Sequence, residues 1–296
     1  MHRDLSRVSY YLNVAKDYDQ ALEICERMIA LQPDRSEPWL LKGDVLIKRR
    51  SYWEAAQAYA RAMSLGVHSP PNQQKVYNNY GIALLYTGRY GEALAAFDQG
   101  ERAVPGRAAT AVNRGFVLVR LGRYHDALPY FDAAHQLDPT QMAPLTNSAF
   151  ALVCLGRLQL AQEGIENVLA RQAGNGYAWG ARGMLETRYG HQAAALAAFT
   201  TALSYQPDYA PTHATFALSQ LVRGAIAGAC ESAERAVTLD PYDARSWYAN
   251  AQTLRAAGRL EEAAEAERRG AGLLAEQSAQ VDAWLQAKAQ RGEPTR

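Results

Sequence analysis

Three asparagines, Asn79, Asn113 and Asn147, recur every 34 residues in otherwise apolar stretches. Each side-chain amide both donates and accepts, which is the pairing capacity of a peptide bond. Evenly spaced amides suit the backbone of a bound polypeptide, or they satisfy neighbouring groups inside the fold; residue type alone leaves both open. The other reactive side chains are less organised. The histidines (His2, His68, His125, His135, His191, His213) share no ligand spacing with one another or with Cys25, Cys154 and Cys230. Neither a zinc motif nor a disulfide framework follows, so no metal or cofactor is expected. The run GNGYAWG at 174–180 has the glycines of a phosphate loop but no preceding strand, and reads as a turn. Glu261 and Glu262 are neighbouring carboxylates on a face expected to be solvated. No nucleophile, base and oxyanion hole assemble, and the chain is not expected to be an enzyme.

Composition narrows the partners. The 296 residues include 31 basic and 30 acidic side chains, a net charge of +1. Such a balance offers no electrostatic footprint for nucleic acid or an anionic membrane surface. At 48% hydrophobic residues, the chain has ample means to build a core. No apolar run approaches a membrane span, and MHRDLSRVSYYLNVAKDYDQ lacks the apolar centre of a signal peptide. A cytoplasmic protein is expected, and its arginine- and alanine-rich composition suggests a bacterial one.

The asparagines belong to a longer rhythm. Blocks of 34 residues fit at 2–35 and 36–69, then, after four inserted residues at 70–73, at 74–107, 108–141, 142–175, 176–209, 210–243 and 244–277. The eighth position of a block is small, as in Gly43, Gly81, Gly115 and Gly183. The fifteenth is Gly88, Gly122, Gly156, Gly190, Gly224 or Gly258, and the twentieth is alanine from Ala21 to Ala263. Four residues further on stands a large apolar group in most blocks, such as Tyr59, Phe97, Phe131 and Phe199. Apolar spacings of three and four on either side of the glycine predict two helices per block. The small positions let paired helices approach, and glycine suits a helix end that needs positive φ. One such pair cannot bury its apolar face alone, so neighbours must stack.

These matched small, large and turn positions resemble the tetratricopeptide repeat family across essentially the whole chain. The resemblance implies an all-α fold: a right-handed superhelical solenoid of antiparallel helix pairs, with repeats 1–2 at 2–69 and repeats 3–8 at 74–277. Residues 278–296 are expected to form a capping helix and tail, with Val281, Trp284 and Leu285 on one face covering the last repeat; a docking site for a partner is the alternative. The insertion around Pro70 and Pro71 is expected to be a longer connector.

In that architecture the first helices line a concave groove that binds partner segments. Carried over position by position, the groove holds Asn79, Ile82, Leu85, Asn113, Phe116 and Val119. It continues through Arg120, Asn147, Phe150, Val153, Met184 and Arg188. Cys154 falls on the same face, where a reactive thiol is an alternative to an inert one. Cys25 falls in the core. An apolar strip on a groove favours an interface, and either an extended peptide or a helix would fit. The fifth positions contain no lysine, which excludes the family's carboxylate-clamp mode. The expected role is a non-catalytic protein–protein interaction scaffold or adaptor. Alternatives are a self-assembling homo-oligomer, or a regulatory module of an enzyme or of a secretion- or pilus-type assembly.

Overall fold

A computed structural model describes residues 2–67 and 70–292. Among these residues every regular element is helical. The chain opens with α1 (His2–Tyr10), a short π-helical stretch (Tyr11–Ala15) and α2 (Tyr18–Leu31). There follow α3 (Ser36–Arg49), α4 (Tyr52–Ser64), α5 (Pro70–Tyr86), α6 (Tyr90–Ala103), α7 (Ala108–Arg120) and α8 (Tyr124–Leu137). Next come α9 (Ala143–Cys154), α10 (Leu158–Arg171), α11 (Gly176–Tyr189) and α12 (Gln192–Tyr205). The chain ends with α13 (Ala210–Val222), α14 (Ile226–Leu239), α15 (Ala244–Ala256) and α16 (Leu260–Gln290). Within this series the helices of a block pack on each other, as α5 on α6 and α11 on α12.

Local chemistry explains the elements. The fifteenth-position glycines all end a first helix with φ between +72° and +81°, the left-handed conformation. In the first two blocks the same conformation is taken by Lys16 (φ 54°) and Arg50 (φ 64°). At Arg50 the helix end is completed by backbone bonds from Arg50 N to Ile47 O (3.1 Å) and from Ser51 N to Leu46 O (2.9 Å). The twentieth-position alanines are buried throughout the chain. At the eighth position the fit is closer still: a Cβ placed on Gly115 would lie 2.6 Å from the Phe131 ring. The large residue of the second helix therefore fills the space the small one vacates.

A second recurring device joins successive blocks. Trp39, Trp179 and Trp247 each donate an indole N–H to the carbonyl six residues earlier, at Pro33 (3.2 Å), Ala173 (2.7 Å) and Pro241 (2.8 Å). His213 does the same to Pro207 at 2.8 Å. A carbonyl can only accept, so the Nε2–H tautomer is present there.

The chain divides into two compact units. Unit 1 comprises residues up to Thr110 together with Gln280–Ala287; unit 2 comprises Ala111–Ala279 and the residues after Ala287. Unit 1 has a core around Val8, Ile24, Cys25, Met28 and Val45. Unit 2 is built from several clusters, among them Ala149, Val153, Ile165 and Leu185, and Ala214, Ala217, Ala233 and Ala236.

Two expectations about the ends of elements change. Pro70 and Pro71 open α5 instead of extending a connector, since a helix's first turn has no use for the N–H that proline lacks. His68 and Ser69 lie outside the described residues. The expected cap is also no separate helix: α16 runs unbroken for 31 residues. Its segment Gln280–Ala287 belongs to unit 1. There Trp284 Nε1–H donates to Asp98 Oδ2 at 2.9 Å, and Gly91 N–H donates to Gln280 Oε1 at 3.3 Å. Val281 and Trp284 are buried. Replacing Trp284 with Phe keeps most of the apolar bulk but removes a buried bond to a carboxylate. A loss of about 1.5–3 kcal/mol in urea-monitored stability is expected.

Candidate functional site

The first helices α7, α9, α11, α13 and α15 bring one set of expected groove residues together within unit 2. Phe116, Val119, Asn147, Phe150 and Met184 line a slot with Tyr177, Tyr209, Thr212 and Arg245. Gly180 and Ala181 form part of its wall, and the larger side chains around them leave little space. Its volume is about 20 Å³, room for about one water molecule. Phe116, Asn147, Phe150 and Met184 are half-buried, whereas Val119 and Val153 are buried. The two valines thus back the face from below. Asn113 is half-buried and Arg188 exposed.

Arg120 departs most from its expected place on an open groove. Its side chain is 1% exposed and forms a two-pronged ion pair with Asp240, one prong from Arg120 Nη2 to Oδ1 at 3.1 Å. Planar guanidinium and carboxylate match in this geometry, which strengthens both bonds. The same α14–α15 turn supplies Asp243, fully buried, which accepts from Arg245 Nε and Nη2, both at 3.0 Å. The Arg245 guanidinium then lies 5.6 Å from the centre of the Phe150 ring, within cation–π range. The chain itself therefore occupies Arg120 and one side of the Phe150 ring, which stays half-buried.

These charges set the local titration. Burial pushes the Asp243 carboxyl up, but the Arg245 and Arg120 charges and the Arg245 hydrogen bonds outweigh it and hold the pKa below the usual aspartate value. A depressed pKa gives stability that is complete above the unfolded value, about 3.9 for Asp, and is lost as pH falls through the folded value. Acid titration of Asp243→Asn, followed by unfolding at each pH, should therefore show a flatter loss of stability below about pH 4 than wild type. Cys154 is not activated: burial raises its thiol pKa, against a lowering hydrogen bond with Tyr124 and the Arg245 and Arg188 charges. Tyr124 is itself pushed up to about 12, chiefly by burial. Cys25, buried in the unit 1 core, is pushed up to about 12 for the same reason.

Unit 1 presents a different inner face. Asn79 Nδ2 donates to Asp44 Oδ1 at 3.0 Å, so this asparagine binds the preceding repeat. Tyr59 Oη donates to the same oxygen at 2.7 Å, and Lys75 Nζ to Oδ2 at 2.7 Å. Asn147 differs: its side chain makes no hydrogen bond among the described residues and faces the unit 2 slot. Ile82 is half-buried, Leu85 is buried, and Tyr86 stacks on Tyr52 with ring centres 4.4 Å apart. Beside Asp44 a cavity of about 230 Å³ opens between α1, α3 and α5, with Leu5, Leu40, Leu41 and Val76 among its walls. Sequence reasoning missed this cavity. The available signal was Asp44, a charge at the ninth position where later blocks carry Ile82, Phe116 and Phe150.

Among the described residues, no group of three or more His, Cys, Asp or Glu side chains could hold a metal ion. No described helix is long and apolar enough to cross a membrane.

Residues 11–66 and 80–141 match the family description "Tetratricopeptide repeat". The matched stretches are tetratricopeptide repeats. Solved tetratricopeptide-repeat structures share the chain's helical-repeat solenoid. A tetratricopeptide repeat protein from Parabacteroides merdae superposes with a TM-score of 0.64 at 14% identity, covering 86% of this chain and 98% of that one. The Cut9–Hcn1 hetero-tetramer of the APC/C gives 0.60 at 15% identity, over 81% of this chain and 46% of its own. This chain thus spans less than half of the length of that relative. A monomeric mutant of IFIT1 with Gppp-AAAA gives 0.60 at 16% identity, over 97% of this chain and 73% of that one. No curated protein matches the sequence. At these identities the likeness is one of fold.

Proposed function

We propose that this protein is a non-catalytic scaffold or adaptor that holds a segment of a partner protein on the inner faces of its first helices. The observation that carries this reading is the meeting of half-buried Phe116, Asn147, Phe150 and Met184 at one slot. Aromatic rings beside an amide with unused hydrogen-bonding capacity are the composition of a recognition surface. The slot is too small to swallow a side chain, so the partner lies across its mouth. A nucleic-acid ligand is disfavoured by the near-zero net charge.

The test is affinity purification with the wild-type chain and the Phe116→Ala/Phe150→Ala double variant, alongside circular dichroism. A specific protein retained by the wild type and lost by a variant of unchanged helicity supports the reading. Equal retention overturns it.

A second reading, self-assembly, draws on Tyr10, Val14 and Leu31 of the first repeat, which are 55%, 68% and 77% exposed. A second copy covering them would make sedimentation depend on concentration. A monomer at all concentrations rejects it.

A further inference from the structure

We propose that the cavity of unit 1 is a subsite for a partner-protein segment that presents an apolar side chain beside a lysine or arginine. The proposal rests on the reading of inner helix faces as binding surfaces, but its site is separate from the unit 2 slot. The cavity's volume, about 230 Å³, is ample for a leucine or phenylalanine side chain, and its walls include Leu5, Leu40, Leu41 and Val76. Burying such a side chain there would contribute favourably without any directional contact.

Charge selects what may accompany it. Asp44 stands in the wall with 16% of its side chain exposed, whereas Glu37, in the same wall, is already paired with Arg35 at 3.0 Å. The two Asp44 oxygens are unequal. Oδ1 accepts from the buried Tyr59 hydroxyl and from Asn79, both held by the fold. Burial and the Asp44 charge raise the Tyr59 pKa far above neutrality, so its proton stays in place as a donor. Oδ2 accepts, among the described residues, only from Lys75, whose side chain is 62% exposed. An exposed lysine on a flexible stem costs little to move. Lys75 therefore acts as a resident cation in a position that an incoming ammonium or guanidinium can take. A guanidinium can satisfy two acceptor positions at once. A carboxylate in the place that Lys75 leaves would face Asp44 and be repelled. The preference is thus opposite in sign to that of the carboxylate-clamp mode.

The experiment uses the full chain with two dipeptide probes of equal apolar content, acetyl-Phe-Arg-amide and acetyl-Phe-Glu-amide, titrated by methyl NMR. The arginine probe should shift Leu40, Leu41 and Val76 signals saturably, and the glutamate probe should bind at least about tenfold more weakly, a difference of about 1.4 kcal/mol. Lys75→Ala removes the internal competitor, so affinity for the arginine probe should rise, by about threefold or more. Asp44→Asn should abolish the preference between probes; because Asp44 also holds Tyr59 and Asn79, helicity is measured in parallel. The surface variant Lys75→Ala keeps the proposal exposed to failure even if Asp44→Asn unfolds. Equal binding of the two probes, weaker binding after Lys75→Ala, or shifts confined to residues outside the cavity overturn the proposal. Cavity signals that move with protein concentration alone would assign the site to a second copy and overturn it as well. The Phe116→Ala/Phe150→Ala variant should bind the arginine probe as wild type does, which separates this site's failure from that of the unit 2 slot.

Discussion

Arg120→Ala should be among the most destabilising single substitutions in the protein, costing about 3–5 kcal/mol in equilibrium unfolding. Burying an ion pair is expensive, and the pair itself adds little net stability. Breaking it is another matter, because the remaining charge keeps its burial and loses its partner. Asp240 is 5% exposed and lies 120 residues away in sequence, held to α7 by the Arg120 fork. Without that fork its buried carboxylate has lost its main partner and regains solvation by pulling the α14–α15 turn toward water. That movement disturbs Asp243 and Arg245 in the same turn, and through Arg245 the Phe150 ring. The control is Arg120→Met with Asp240→Leu, which removes both charges and should recover most of the loss. If the single variant unfolds at the same urea concentration as wild type, the pair does not hold the turn.

Phe131→Ala should cost about 3–5 kcal/mol as well, for a reason of packing. The ring is 1% exposed and rests directly on the backbone of Gly115. Its removal leaves a void that neither helix can close without sliding. The reverse error has the opposite geometry. Gly115→Ala places a methyl 2.6 Å from the ring, and overpacking of this kind costs about 1–3 kcal/mol. In the double variant the new methyl enters the space the ring has left. The two losses should then sum to less than their separate values, a coupling readable in a double-mutant cycle. Strict additivity would mean that the two positions do not share that space.

Those two cases show what the sequence made legible. The Gly115–Phe131 contact repeats at Gly43–Tyr59, Gly81–Phe97 and Gly183–Phe199. A contact that recurs in each block leaves a period, and the period revealed helices, turns and core alanines together. Lys16 and Arg50 took the left-handed turn without glycine because the surrounding helix end imposed it. Contacts made only once leave no such trace. Nothing in the neighbourhood of Arg120 announces Asp240, so its position within a repeat suggested an open groove while the structure gave it a buried partner. Trp284 and Asp98, 186 residues apart, are the same case in unit 1. Asn79 lies between these extremes. Its rhythm was visible, and the donor role it fills toward Asp44 was one of the two readings that rhythm allowed.

The composition of unit 1 has a consequence for how the chain is made. Synthesis runs from the N-terminus, and domains tend to fold as they emerge. Most of unit 1 precedes unit 2 in the chain, yet Gln280–Ala287 belongs to unit 1 too. The earlier-made unit must therefore wait until Ala111–Ala279 of unit 2 has been read. Until then Asp98 lacks its indole donor and Gly91 its glutamine acceptor, and a chain cut short before Gln280 would release a unit 1 that never receives its last piece.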